Sequence, residues 1–180
     1  MGYHCTWIAT RGSPADVVLA ALGLDRIDSR SEAVFDPGIF GVDLPGGWFL
    51  VLADGWEHMD SLSEKHAIEL LSSHECWFFL TDDTSMCARL AAYADGYLAW
   101  SITYDGSNGS GMPTVDGTPP AVVTAELRNT RDRQLAAGDR GVDHIYDFPA
   151  GVADRLLGFR HDRTLADGEF TPIQILARRP

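Results

Sequence analysis

The chain predicts an α+β fold: a single domain, residues 1–180, in which a largely antiparallel or mixed sheet has helices covering one face. Three observations lead there. A length of 180 residues fits one domain, since domains commonly run to roughly 100–200 residues. Runs of strand type outnumber runs of helix type. In the middle of the chain an Asp95-Gly96 pair separates two alternating runs, which is a hairpin signal; a strictly doubly wound sheet needs a helix at every such point.

Residues 3–10 (YHCTWIAT) alternate and are rich in aromatic and β-branched side chains, which predicts a strand. Ser13-Pro14-Ala15-Asp16 then offers an N-cap, an early proline and an acid, ahead of the short apolar stripe Val17, Val18, Ala21 and Leu22. Residues 24–46 read as a long loop, punctuated by Asp36-Pro37-Gly38 and Pro45-Gly46-Gly47. Residues 48–53 (WFLVLA) are apolar at every position and predict a central strand, closed by an Asp54-Gly55 turn. Ser61 and Glu64 form a capping box for a helix through residue 72, with Leu62, Ile68 and Leu71 on its inner side.

A second doubly apolar strand follows at 76–80 (CWFFL). The hairpin pairs 90–94 with 97–104 and sets Leu98, Trp100, Ile102 and Tyr104 on one face. After a Gly/Ser loop, Thr118-Pro119 starts a polar helix to Ala137, stopped by Gly138; its narrow seam of Val122, Val123 and Leu127 places it on the outside. The last elements are a strand at 142–148, a helix at 149–157 stopped by Gly158, and a closing strand at 170–177.

The apolar share of 45% and charged share of 22% are those of a chain that can build a core. A net charge of −12 sets the chain against nucleic acid and anionic membranes, because phosphate neutralisation needs a clustered excess of Lys and Arg. It can steer the chain toward a basic protein partner. No run nears the roughly 18–20 apolar residues that span a bilayer, and the start MGYHCTWIATRG lacks a signal-type core, so a cytoplasmic location is expected. Three cysteines, Cys5, Cys76 and Cys87, fit a reducing compartment better than a disulfide framework.

Several motifs fall short. In Gly106-Ser107-Asn108-Gly109-Ser110-Gly111 the glycines match a phosphate loop, but Met112 and Pro113 stand where lysine and the magnesium-binding hydroxyl belong. Lys65, the only lysine beside thirteen arginines, lies elsewhere. The same loop fails the dinucleotide spacing, and as a calcium loop from Asp105 to Asp116 it has Ser107 and Gly109 at its third and fifth positions and Ser110 at its sixth, which leaves too few charges to hold calcium. His58, His66 and His74 are eight residues apart, about 80° off whole helical turns, so with Cys76 they do not make a zinc set. His4 and Cys5 point to opposite faces of a strand, and Ser110 lacks the G-x-S-x-G elbow. No metal and no cofactor is expected.

Two groups of residues remain as candidates. Arg160, His161 and Asp162, after the Gly158 stop, combine with His144 as an anion pocket or acid/base site, since arginine suits carboxylate or phosphate and histidine titrates near neutrality. Plainer is a loop whose charges pair with an acidic surface. Trp56, Glu57 and Asp60 follow a turn and have the makeup of an exposed aromatic anchor with an acidic rim. In general makeup the chain is similar to bacterial immunity and other interaction domains. The function expected first is therefore a non-enzymatic protein-interaction domain, adaptor- or immunity-like; the alternative is a small enzyme or ligand-binding protein built on the anion pocket. A meeting of the segments 24–46, 105–118 and 158–164 in one cleft would favour the second.

Overall fold

The computed structural model describes residues 4–31, 37–65, 68, 74–108, 111–138, 143–162 and 173–178. In chain order the elements are β1 (His4–Arg11), α1 (Ala15–Ala21), β2 (Leu24–Ser31), β3 (Gly38–Leu44), β4 (Trp48–Asp54), α2 (Trp56–Met59), β5 (Glu75–Asp82), β6 (Cys87–Ala94), β7 (Tyr97–Asp105), a 3-10 turn at Gly106–Asn108, β8 (Thr114–Gly117), α3 (Ala121–Ala137), α4 (Phe148–Leu157) and β9 (Ile173–Arg178). The strands form one antiparallel sheet in the order β2-β9-β3-β4-β1-β5-β6-β7-β8. The fold is a single-domain α+β arrangement.

Alternation along the central strands gives the sheet two apolar faces. On the first face the register lines up Leu52, Trp7, Phe79, Leu90 and Ile102 in one row and Leu50, Ala9, Trp77, Ala92 and Trp100 in the next. Both long helices cover this face: Val123 of α3 and Phe148, Val152 and Leu157 of α4 join its core. On the second face Val51, Ile8, Phe78 and Ala91 form a row, covered by Val18 and Leu19 of α1 and by Leu62. The long helices thus share one face, and the seven-residue α1 adds a smaller cover to the other.

Most elements lie where the pattern puts them, and the differences have physical causes. The expected loop at 24–46 is largely strand. β2 is an edge strand, and edges carry charge, so LDRIDSRS does not read as apolar. β3 is buried on both faces but broken by Gly41, and its outer neighbour is β9, from the far end of the sequence. The expected strand at 142–148 is, over 144–147, a turn into α4: the Asp143 carboxylate accepts the backbone N–H groups of Ile145 and Tyr146 at 3.0 and 3.1 Å, an Asx-type turn. The Gly/Ser loop is short, because Thr114–Gly117 pairs with β7 as the second edge strand. The helix expected through residue 72 is described only at Glu64, Lys65 and Ile68; Leu71 lies outside the described residues. Glu64 does not close a capping box: its carboxylate holds Arg89 and the Tyr93 hydroxyl, while the Ser61 N–H donates to the His58 carbonyl at 2.8 Å.

At the hairpin, Asp95 and Gly96 have φ of 52° and 78°, both positive as a type I′ turn requires. Beyond it Tyr93 faces Leu98 and Ala92 faces Trp100, so Ala99 is a bulge residue and Leu98 is displaced from the face of Trp100 and Ile102. Leu98 is consequently exposed. Gly117 fits over the bulge: its φ is +76°, and a Cβ there would stand 2.2 Å from the Ala99 carbonyl oxygen. Replacing Gly117 with alanine is expected to cost about 1–3 kcal/mol in urea denaturation, from strain plus the clash. Gly138→Ala, at φ +56° with nothing within 4 Å, separates the two contributions because it carries the strain alone.

Candidate functional site

Toward the β5–β6 turn the first face becomes polar. The row that continues the apolar ladder reads Asp54, Cys5, Thr81, Ala88 and Tyr104. The turn before α4 and the segment after it close over this row and leave a cavity of about 150 Å³, lined by Phe79, Thr81 and Ala88 of the sheet, Ala150 of α4, and Asp83, Tyr146, Asp147, His161 and Asp162. The Tyr146 hydroxyl donates to Asp83 Oδ1 at 2.6 Å, which leaves Thr81 as the donor in its 2.6 Å bond to Tyr146. Burial, reinforced by Asp83, raises the Tyr146 phenol well above its ordinary range, so it stays protonated.

Arg160, whose side chain is 7% exposed, binds two carboxylates of this lining from the side of the groove between α3 and α4. Its Nε and Nη2 donate to Asp162 at 2.5 and 2.9 Å, and Nη2 also donates to Asp147. Burial opposes the charge on each group, but the pairing outweighs it: the guanidinium moves up, and the Asp162 carboxyl, held by Arg160 and the charge of His161, moves down. Asp147, at the N-cap position of α4, makes no capping bond with its side chain. The His161 ring lies 5.3 Å from that of Phe79, and burial lowers its pKa. Burial, then Asp54, Asp162 and Asp83, push the Cys5 thiol far up, and burial takes Cys76 to about 12; both are inert as nucleophiles.

Of the residues expected here, Arg160, bonded to Asp147 and Asp162 of that lining, itself faces the groove between α3 and α4, whereas His161 and Asp162 line the cavity. His144 does not line it; its backbone N–H donates to Gln134 Oε1 at 2.7 Å. Thr81, Asp83, Tyr146 and Asp147 complete the site, and nothing in their local sequence marks them. The guanidinium on which an anion pocket would rest is already neutralised by two carboxylates. Among the described residues, neither 24–46 nor 105–118 contributes to this lining. Asp116 sits in β8 opposite Ser101, and no three His, Cys, Asp or Glu among the described residues could together hold a metal ion.

A wider groove of about 610 Å³ runs between α3 and α4. Its centre is Glu126, 5% exposed, whose carboxylate pairs with Arg133 at 3.2 Å and with Arg155. Arg133 also donates to Thr130 at 3.0 Å. This is an interhelical clamp: one buried acid paired with two half-exposed cations.

At the same end of the sheet, on its other face, stands Trp56. It opens α2, is 58% exposed, and its ring lies 4.0 Å from that of His4 at 33°. The remaining tryptophans, Trp7, Trp48, Trp77 and Trp100, are each 6% exposed or less. His4 Nδ1 meets Asp82 Oδ1 at 2.8 Å, its Nε2 is 3.4 Å from the Thr84 hydroxyl, and its carbonyl accepts the Gly55 N–H at 2.8 Å. Glu57 and Asp60, one and four residues after Trp56, are exposed.

No family model, curated protein or solved structure matches this chain. Function therefore rests on the geometry alone. Among the described residues no helix is long and apolar enough to cross a membrane.

The burial of His161 gives a pH dependence with a defined sign. Its folded pKa lies below the ordinary imidazole value of about 6.5, so the unfolded chain binds more protons, and stability falls as pH drops below about 6.5. Urea denaturation of wild type and His161→Gln between about pH 7.5 and 5.5 is expected to show a shallower decline in the variant.

Proposed function

We propose that this chain is a cytoplasmic, non-enzymatic protein-interaction domain, adaptor- or immunity-like, that engages a basic protein partner through Trp56, Glu57 and Asp60. The observation that carries the reading is the exposure of Trp56, 58% in a protein whose other four tryptophans are buried. Exposing an indole to water is unfavourable, and aromatic residues surrounded by polar ones are the usual anchors of interfaces. The net charge of −12 adds long-range attraction to a basic surface and works against nucleic acid.

The test is affinity capture from native lysate with wild type, Trp56→Ala and, as a control at another exposed aromatic, Tyr97→Ala. The expected result is a protein retained by wild type and by the Tyr97 variant, at least about tenfold weaker on the Trp56 variant, and released as salt rises. Equal retention by the Trp56 variant would sink the reading.

A second reading, a small enzyme or ligand-binding protein, is favoured by the cavity at His161. Its roughly 150 Å³ is comparable to an engineered cavity that takes benzene, so it suits a ligand of about six heavy atoms. With Arg160 committed to Asp147 and Asp162, the lining favours a neutral or cationic ligand over an anion. Following the His161 ring protons by NMR during titration with 1,4-diaminobutane, 1,4-butanediol and succinate tests it: saturable shifts with the diamine or the diol are expected, and flat resonances with all three would remove this reading.

A further inference from the structure

Resting on the interaction reading above, we infer that Trp56 and His4 form a preorganised platform for one arginine side chain of the partner. The two rings are in contact before anything binds. One face of the indole is occupied by the His4 ring, whose Nδ1 lies 2.8 Å from Asp82 Oδ1 without a hydrogen bond and whose Nε2 lies 3.4 Å from the Thr84 hydroxyl, while the His4 backbone carbonyl accepts the Gly55 N–H that leads into α2. Gly55 is itself confined: at φ +88°, a Cβ there would stand 2.9 Å from Cβ of Pro37. Little side-chain freedom is left to lose at Trp56 on association.

The surroundings select the chemistry of the occupant. Residues 54–64, DGWEHMDSLSE, hold four acids and neither lysine nor arginine. Glu64 is bound to Arg89 and Tyr93, and Asp54 is half-buried with its pKa raised by that burial, so Glu57 and Asp60, one and four residues along the chain from Trp56, are the carboxylates of this segment that face solvent. Neither makes an ion pair among the described residues. An apolar occupant would strip water from two carboxylates without replacing it. A lysine would satisfy the carboxylates as a strongly hydrated point charge. Arginine does both at once: its planar, weakly hydrated guanidinium stacks on an indole face while its edge forks to a carboxylate.

The experiment compares two capped nine-residue peptides, one with four arginines and one with four lysines at the same positions, titrated against the full chain at low salt. Trp56 is the fluorophore that reports contact, since the other four tryptophans are buried. The expected result is a three- to tenfold preference of wild type for the arginine peptide, reduced to parity in Trp56→Leu, which keeps apolar area but loses the π face. Glu57→Gln with Asp60→Asn should weaken both peptides. Equal affinity of wild type for the two peptides, binding of neither, or an arginine preference that persists in Trp56→Leu would each overturn the inference. The failures are separable: if Trp56→Ala loses the captured partner while wild type treats the two peptides alike, the interaction surface stands and the arginine assignment falls. Circular dichroism of each variant confirms that the fold is kept.

Discussion

The constraint on which the structure depends is that the central strands β4, β1 and β5 are buried on both faces along most of their length. A strand of this kind cannot face water on either side, so each face of the sheet needs its own cover. Each large buried side chain contributes about 1.5–3 kcal/mol, and the rows through Trp7, Phe79 and Ile102 or through Ile8 and Phe78 collect that gain only if the register is held. The unequal cover follows. α3 and α4 lie over the face that carries the tryptophan ladder of Trp48, Trp77 and Trp100, whose rings meet edge to face at 5.5 and 5.1 Å. α1 and Leu62 lie over the other.

Polar chemistry collects where this apolar ladder ends. One row past Leu52, Trp7 and Phe79 the side chains become Asp54, Cys5 and Thr81, and the chain must satisfy them. Thr81 bonds Tyr146 of the turn before α4 and Asp54 accepts the Gly55 N–H, while the two carboxylate partners of Arg160 join the start of α4 to the segment after its end. The same logic operates between the helices, where Glu126 is almost fully buried and would be costly without Arg133 and Arg155. On the opposite face the ladder ends at His4, and the ring that stacks on it, Trp56, is left partly in water. The two candidate sites are thus the two sides of one polar sheet end.

Local pattern carried the elements whose cause is local. WFLVLA and CWFFL are apolar throughout, Asp95-Gly96 supplies the two positive φ values of its turn, and Gly158 takes the left-handed conformation, φ 69°, that stops α4. Elements defined by a distant partner were not legible in the same way. β2 and β3 are neighbours in sequence but are separated in the sheet by β9, roughly 130 residues away, so no local alternation announces them. Asp143 and Tyr146 resemble strand residues until the carboxylate of the first is seen to cap the turn that aims the second at Thr81 and Asp83.

By itself the sequence determined the α+β class, the acidic charge, the doubly apolar centre, and the exposure of Trp56 on an acidic turn, because each of these depends on residue type and short-range spacing. Only the tertiary structure decided which charges remain available. Arg160 read as an anion receptor until Asp147 was placed against it, Glu64 read as a helix cap until Arg89 was, and His4 gained its role beneath Trp56 only when the β4–α2 turn came over the start of β1. A charged side chain is defined by its partner as much as by its type, and partners 13, 25 and 52 residues away in the chain come together only through the fold.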